Sequence, residues 1–364
     1  RIMKIKNIFF AAILVLAGFS CSMEDDAIMN DVEKGIEEAT EAYTVLDFGV
    51  AFNEMATKAS TTVVPGEDRP ATGDENNDEK KISEVSVFLL EDGKVIGILI
   101  PQNMNQVSSN SDGSITLKDL KFVTKYKTNR TLEAHVVING NQFLKNINIG
   151  DAQSALNQQI SGCLSADQLI KYGSTRIVFG KDITNSYPSP SVAENNPTTI
   201  LVKVSHVAAR LDFSQFDVTL KGFEGNPTVV FDEAKFVNLQ QNGKIVEGDA
   251  SVNVKDGAFL NRSNRIGTRW TDMGTAYGYA NQYRQDSEMN TALYVKFTVD
   301  GRTFEKTYPI NPAGITKEVD HNGIKGGYLY DIKVRWTITP DWGDSTIEFY
   351  TRDWVHNSIP EIVL

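Results

Sequence analysis

The 364-residue chain has only two cysteines, Cys21 and Cys163, so no framework of disulfides holds it together and its stability must come from packing. It has no basic run longer than Lys80-Lys81 and a formal net charge of -11, which excludes the clustered basic surface that a nucleic-acid partner requires. Its four histidines, His135, His206, His321 and His356, are scattered with no second ligand within the next few residues, so no metal site is read. The Gly-x-Ser-x-Gly elbow, the phosphate-binding loop and the dinucleotide fingerprint are all missing, so no catalytic residue, cofactor or enzyme activity is expected. Glu67-Asp68 and the acidic stretch 74–79 lack the ligand spacing and the glycine of a calcium loop and read as solvated.

What the chain does contain begins with a targeting segment over residues 1–20. Lys4 and Lys6 supply its positive region, and residues 8–19 supply an apolar run too short to cross a membrane. Met3 reads as the initiator. Gly18-Phe19-Ser20 ahead of Cys21 resembles the lipobox of bacterial lipoproteins, in which the cysteine is acylated and becomes the new N-terminus. An acidic linker over 21–41 follows, and residues 22–26 resemble a surface-export signal. Cys163 reads as an inert buried thiol ahead of a helix over 165–172 that Ser165 caps and Gly173 closes.

Residues 42–52 form the first strand. Thr44, Leu46, Phe48, Val50 and Phe52 fall on one face at a period of two, the pattern of a half-buried β-strand. Residues 53–81 are polar, charge-dense and without apolar periodicity, which predicts an exposed, protease-accessible loop. Strand patterns then come in quick succession, beginning with a hairpin that turns at Asp92-Gly93. The hydrophobic content of 41% is ample for two cores, and Pro188, Pro190 and Pro197 place the boundary in 184–198. The expected fold is all-β, two antiparallel β-sandwich domains over 42–198 and 199–364 with a few short helices. Trp270, Tyr277, Tyr279 and Tyr283 read as a glycine-rich loop that either caps a sandwich or stacks on sugars.

In their order along the chain, these landmarks resemble the fimbrillins of the Bacteroidales, the subunits of type V pili. The lipobox, the alternating strand, Lys58-Ala59, the valine-rich run 82–93, Ala208-Ala209-Arg210 and the closing strands ending in Asp353-Trp354-Val355 carry the resemblance. It implies transthyretin-like sandwiches and a lipoprotein precursor on the outer membrane, then a trypsin-like protease cutting between Lys58 and Ala59. The strand bearing Leu46, Phe48, Val50 and Phe52 would leave, and the C-terminal strand of another fimbrillin subunit would fill its groove. That donor is expected within 345–364, with Ile347, Phe349, Val355, Ile359, Ile362 and Leu364 as its apolar side chains. The implied function is a structural subunit of an adhesive surface fimbria, with a host or bacterial surface ligand. The alternatives are a fimbrial anchor and an unpolymerised glycan-binding surface lipoprotein. Well-known members carry arginine where this chain has Lys58, and Arg69 is followed by Pro70, which such proteases avoid.

Overall fold

The computed structural model describes residues 41–52, 78–110, 114–246, 248, 250–261, 265–311, 322–353 and 361–362. Cys21, expected to be lipidated, Lys58 and Ala59, expected to flank the processing cut, and Val355, Ile359 and Leu364 of the expected donor lie outside them. The described residues belong to one compact unit over Glu41–Leu364, and they are predominantly strand.

The chain runs through β1 (Tyr43–Phe52), β2 (Lys81–Ile82), β3 (Val85–Glu91), β4 (Lys94–Leu99), β5 (Val107–Ser109), β6 (Ile115–Lys125), β7 (Thr131–Ile138), the one-turn helix α1 (Asn141–Leu144), β8 (Gln159–Ser161), β9 (Lys171–Val178), the short helix α2 (Pro190–Glu194) and β10 (Thr198–His206). An eight-stranded sheet is ordered β4-β3-β7-β9-β10-β1-β6-β5. Strands β9 and β10 share only the pairs Ser205–Tyr172 and His206–Lys171. Beyond that corner the sheet faces itself, because Val87 and Leu89 of β3 and Val136 of β7 share one core with Phe48 of β1 and Leu117 of β6.

The second lobe comprises β11 (Ala209–Leu220), β12 (Val229–Val237), β13 (Leu239–Gln240), β14 (Asn242–Lys244), β15 (Val254–Lys255), β16 (Phe259–Asn261), β17 (Arg265–Ile266), β18 (Arg269–Gly278), β19 (Ala292–Val299), β20 (Arg302–Pro309), β21 (Tyr328–Ile338) and β22 (Gly343–Asp353), after which β23 (Glu361–Ile362) returns to β2 of the first lobe. Sheet β18-β11-β21-β22 packs on sheet β16-β12-β19-β20 around an aromatic centre, where the Phe216 ring lies 5.3 Å from both Phe231 and Phe297. A third cluster joins the lobes, with Phe88, Leu90, Leu144 and Leu156 from the first packed against Ala208, Ile245, Tyr279 and Leu329 from the second.

Several expectations need correction. The sandwiches are not purely antiparallel, since β1 runs parallel to β10 and β11 runs parallel to β21. The chain changes core after His206 and not at residue 198, because β10 pairs with β1 and its Val202 and Val204 complete the first core. The helix over 165–172 is reduced to one 3-10 turn, Ala166–Gln168, with no side-chain cap from Ser165. Gly173 is not its left-handed stop but lies inside β9, where a Cβ would sit 1.8 Å from the Lys203 carbonyl oxygen. Glycine is what lets β9 and β10 approach closely enough to turn the corner. The aromatic stretch near 270 is strand β18 and its neighbour, and Trp270 and Tyr279 are buried in the two clusters they join.

Candidate assembly site

Strand β1 is central in its layer. On one side it pairs in parallel with β10 from Leu46–Thr198 to Phe52–Val204, and on the other it pairs antiparallel with β6 from Tyr43–Lys125 to Val50–Ile115. Leu46, Phe48 and Val50 have no exposure and Phe52 has 6%, so the four side chains read from the sequence do share one core. The opposite face is mixed, with Tyr43, Asp47 and Ala51 partly exposed, so the strand is more deeply covered than its alternation suggested without being buried throughout. Val45, on the opposite face, is also fully covered, and α2 packs across β1 and β6. Helix α2 forms there because Pro190 occupies its first turn and the Ser189 hydroxyl accepts from the Val192 amide.

At the entry to β1, Tyr43 and Tyr187 exchange two backbone hydrogen bonds of 2.8 Å, and Glu41 pairs with Lys125 in the open. The Lys125 ammonium and the Tyr43 hydroxyl hold the Glu41 carboxyl below its ordinary range. One residue on, the Thr44 hydroxyl is buried with no hydrogen-bond partner among the described residues. A buried unpaired hydroxyl costs about 1 to 3 kcal/mol. Thr44→Val keeps the shape and removes that cost, so it is expected to stabilise the chain by about 1 kcal/mol and raise the melting temperature by about 2 to 4 °C in calorimetry. An unchanged or lowered melting temperature refutes this.

The expected donor segment is paired within its own chain. Strand β22 is the edge of sheet β18-β11-β21-β22, with Ile347 opposite Val334 and Phe349 opposite Ile332. Further on, β23 pairs in parallel with β2, matching Glu361 with Lys81 and Ile362 with Ile82. Strand β1 and the segment expected to act as donor are thus built into different sheets, and β23 meets the first lobe at β2, the short stretch that follows residues 53–77.

That stretch holds a residue the sequence reading misplaced. Glu79, expected to be solvated, has no exposure. Its Oε2 accepts from Arg210 Nη1 at 3.0 Å and its Oε1 from the Tyr277 hydroxyl. Composition pointed to solvent because acidic runs are usually solvated; the signal was Arg210 beside Asp212, a cation within an otherwise alternating strand. Burial opposes the Arg210 charge, and Asp212 with Glu79 outweighs it, holding the guanidinium above its ordinary value.

Among the described residues, no three histidine, cysteine, aspartate or glutamate side chains gather in a metal-binding group, and no helix is long and apolar enough to cross a membrane. Cys163 is half-buried near the Gln142 amide, and burial pushes its pKa up, toward the unreactive thiol. His135 is buried, with Nδ1 2.8 Å from the Tyr172 hydroxyl. Burial drives its pKa below 6.5, only partly offset by Glu133. Because the folded value lies below the unfolded one, the neutral ring's contribution is complete above 6.5 and is lost as pH falls through the folded value. Urea midpoints are therefore expected to fall from pH 7.5 toward pH 5, with a shallower fall in His135→Gln; parallel profiles would contradict it.

The lobes, the central strand and the paired C-terminal strand define an all-β protein built of packed sheets. A candidate cell adhesion protein from Parabacteroides distasonis has the same fold, with 17% identity and a TM-score of 0.58 over 87% of this chain and 99% of that one. A fimbrial assembly protein from the same organism aligns at 16% identity and a TM-score of 0.48, over 85% and 96% of the two chains. A fimbrilin from Porphyromonas gingivalis aligns at 14% and 0.48, over 85% and 98%. No protein-family model and no curated protein matches the sequence.

Proposed function

We propose that this chain is a fimbrillin, a structural subunit of an adhesive cell-surface fimbria that assembles by exchanging β1 for a strand of another subunit. The precursor is exported as an outer-membrane lipoprotein on Cys21, and a trypsin-like protease cuts between Lys58 and Ala59. The two lobes serve as its tandem domains. The observation that supports this most is the place of β1: a central strand, hydrogen-bonded on both sides and filling a core, that is followed by a long polar stretch. The departure of β1 leaves two unpaired backbone rows on β10 and β6 and the empty places of Leu46, Phe48, Val50 and Phe52.

Each vacated side chain is worth roughly 1.5 to 3 kcal/mol of burial, so the gross drive to refill the groove is on the order of 6 to 12 kcal/mol before ordering costs. Residues 345–364 are the proposed donor. Trypsin treatment of acyl-free protein, with unboiled samples run on denaturing gels, is expected to give an SDS-resistant ladder. A chain that stays monomeric after verified cleavage at Lys58 refutes the proposal. N-terminal sequencing of the protein recovered from cells separates the readings further: Ala59 marks a polymerised subunit and acylated Cys21 an anchor. The anchor reading draws on Lys58 itself, since a strictly arginine-directed protease would leave β1 and the lipid in place. The glycan-binding alternative loses its main support because Trp270 and Tyr279 are core residues.

A further inference from the structure

We propose that Glu79 and Asn139 form a latch that seats residues 79–84 against both lobes through polar contacts in which β1 takes no part, and so sets the point at which proteolysis of the 53–77 stretch stops. The proposal concerns the segment next to the processing loop, but it does not require that the chain polymerise.

Residues 79–84 contain little regular structure, a 3-10 turn at Asp78–Lys80 and the two-residue β2, so backbone ladders do little to hold them. Side chains from elsewhere do. Glu79 joins Arg210 of β11 and Tyr277 of β18, which are 131 and 198 residues away in sequence. Arg210 is in turn braced by Asp212 at 2.9 Å, and Asp212 accepts from the Thr275 hydroxyl at 2.7 Å. On the first lobe, the fully buried Lys171 donates to the Glu79 carbonyl at 2.8 Å.

Asn139 closes the other end. It sits at a positive φ of 57° on the turn after β7, a conformation asparagine tolerates better than most residues. From there its Nδ2 donates to the Lys81 carbonyl at 2.9 Å, and its Oδ1 accepts from the Ser83 amide at 2.9 Å. The Glu84 carboxylate accepts from the Asn141 amide at 2.6 Å.

None of these partners belongs to β1. A fully buried carboxylate is tolerated only when it is paired and hydrogen-bonded, and here the pairing crosses from the chain behind the processing loop to the second lobe. Loss of β1 takes away packing around Ile82, which shares the first core with Phe48, but removes none of these polar contacts, so they are what keeps the segment seated while the groove opens. Lys80 and Lys81, two adjacent trypsin sites, should be protected because cleavage of a native segment tracks how often it opens.

Limited trypsin digestion of the acyl-free full chain, with mass spectrometry of the large fragment, tests this. In the wild type the 53–77 stretch is expected to be cut while the bonds after Lys80 and Lys81 survive. In Glu79→Gln, which keeps the shape and removes the charge, cleavage after Lys80 or Lys81 is expected to be at least tenfold faster, with cleavage after Lys94 unchanged. Tyr277→Phe serves as a second variant should Glu79→Gln fail to fold, with the same direction and a smaller effect. Wild-type cleavage at Lys80 or Lys81 as fast as at Lys58 overturns the proposal, as does a variant that yields the wild-type fragment. A variant cut faster at every site equally overturns it too, because that result reports global destabilisation and not a local latch. Absence of a polymer ladder in the same digest bears on the assembly reading alone.

Discussion

Replacing Phe48 by alanine is expected to lower the unfolding free energy by about 3 to 5 kcal/mol, the range for truncating a fully buried phenylalanine. Phe48 has no exposure and lies opposite Ile200 on β10 and Leu117 on β6, so the cavity is bounded by three strands of one layer and by β3 and β7 across the core. Hydrogen bonding on both sides of β1 restrains the backbone from collapsing into the space. Leu201→Ala, on the neighbouring β10 but 51% exposed, is the control and should cost about 1 kcal/mol or less. Urea unfolding of the acyl-free chain measures both. Equal costs would mean that β1 is not an integral part of the core, and the premise of the assembly proposal would fail with it. Under that proposal the same substitution has a second consequence. A more weakly held β1 leaves sooner after cleavage, while the groove it vacates keeps its β10 and β6 walls, so Phe48→Ala should form its ladder faster than the wild type.

Strand β1 was legible in the sequence because its apolar residues alternate, and alternation reports which side chains share a face. It does not report which strand lies alongside, and the parallel pairing with β10 was accordingly missed. The change of core was misplaced for a related reason: Pro188, Pro190 and Pro197 do interrupt regular structure, but the strand that follows them returns to the first sheet. Gly173 shows the limit most clearly. As a local signal it fits a helix stop, whereas its physical requirement is the Lys203 carbonyl, thirty residues on and in contact only through the folded corner. Glu79 failed in the same way, since the charge that makes its burial tolerable arrives from β11. Strand patterning correctly assigned the all-β class and the apolar face that β1 turns to its core; the contacts between lobes depend on pairings that no local window contains.

Deleting residues 359–364 is expected to leave a folded, cleavable monomer whose melting temperature moves by no more than about 4 °C, and to abolish polymer growth. The first half rests on the strand pairing. All register pairs between β21 and β22, from Tyr328–Asp353 to Ile338–Gly343, survive the truncation. What is lost among the described residues is the parallel ladder of β23 with β2, two residue pairs long, and the approach of β23 to β5. A two-residue ladder contributes little, and Pro360, with no amide hydrogen, cannot extend it on that side. The second half rests on the comparison between that ladder and the groove. A tail that exchanges two backbone pairs in its own chain for a full strand position in another, with four apolar places to fill, gains far more than it gives up. This holds only after β1 has left, because the groove does not exist before then. The intact precursor should therefore keep its tail against β2 and remain single. Gel filtration before cleavage, and unboiled gels after it, read the two states. Long polymers from the truncated chain would place the donor elsewhere, and an unfolded truncated chain would mean that residues 359–364 belong to the subunit's own core.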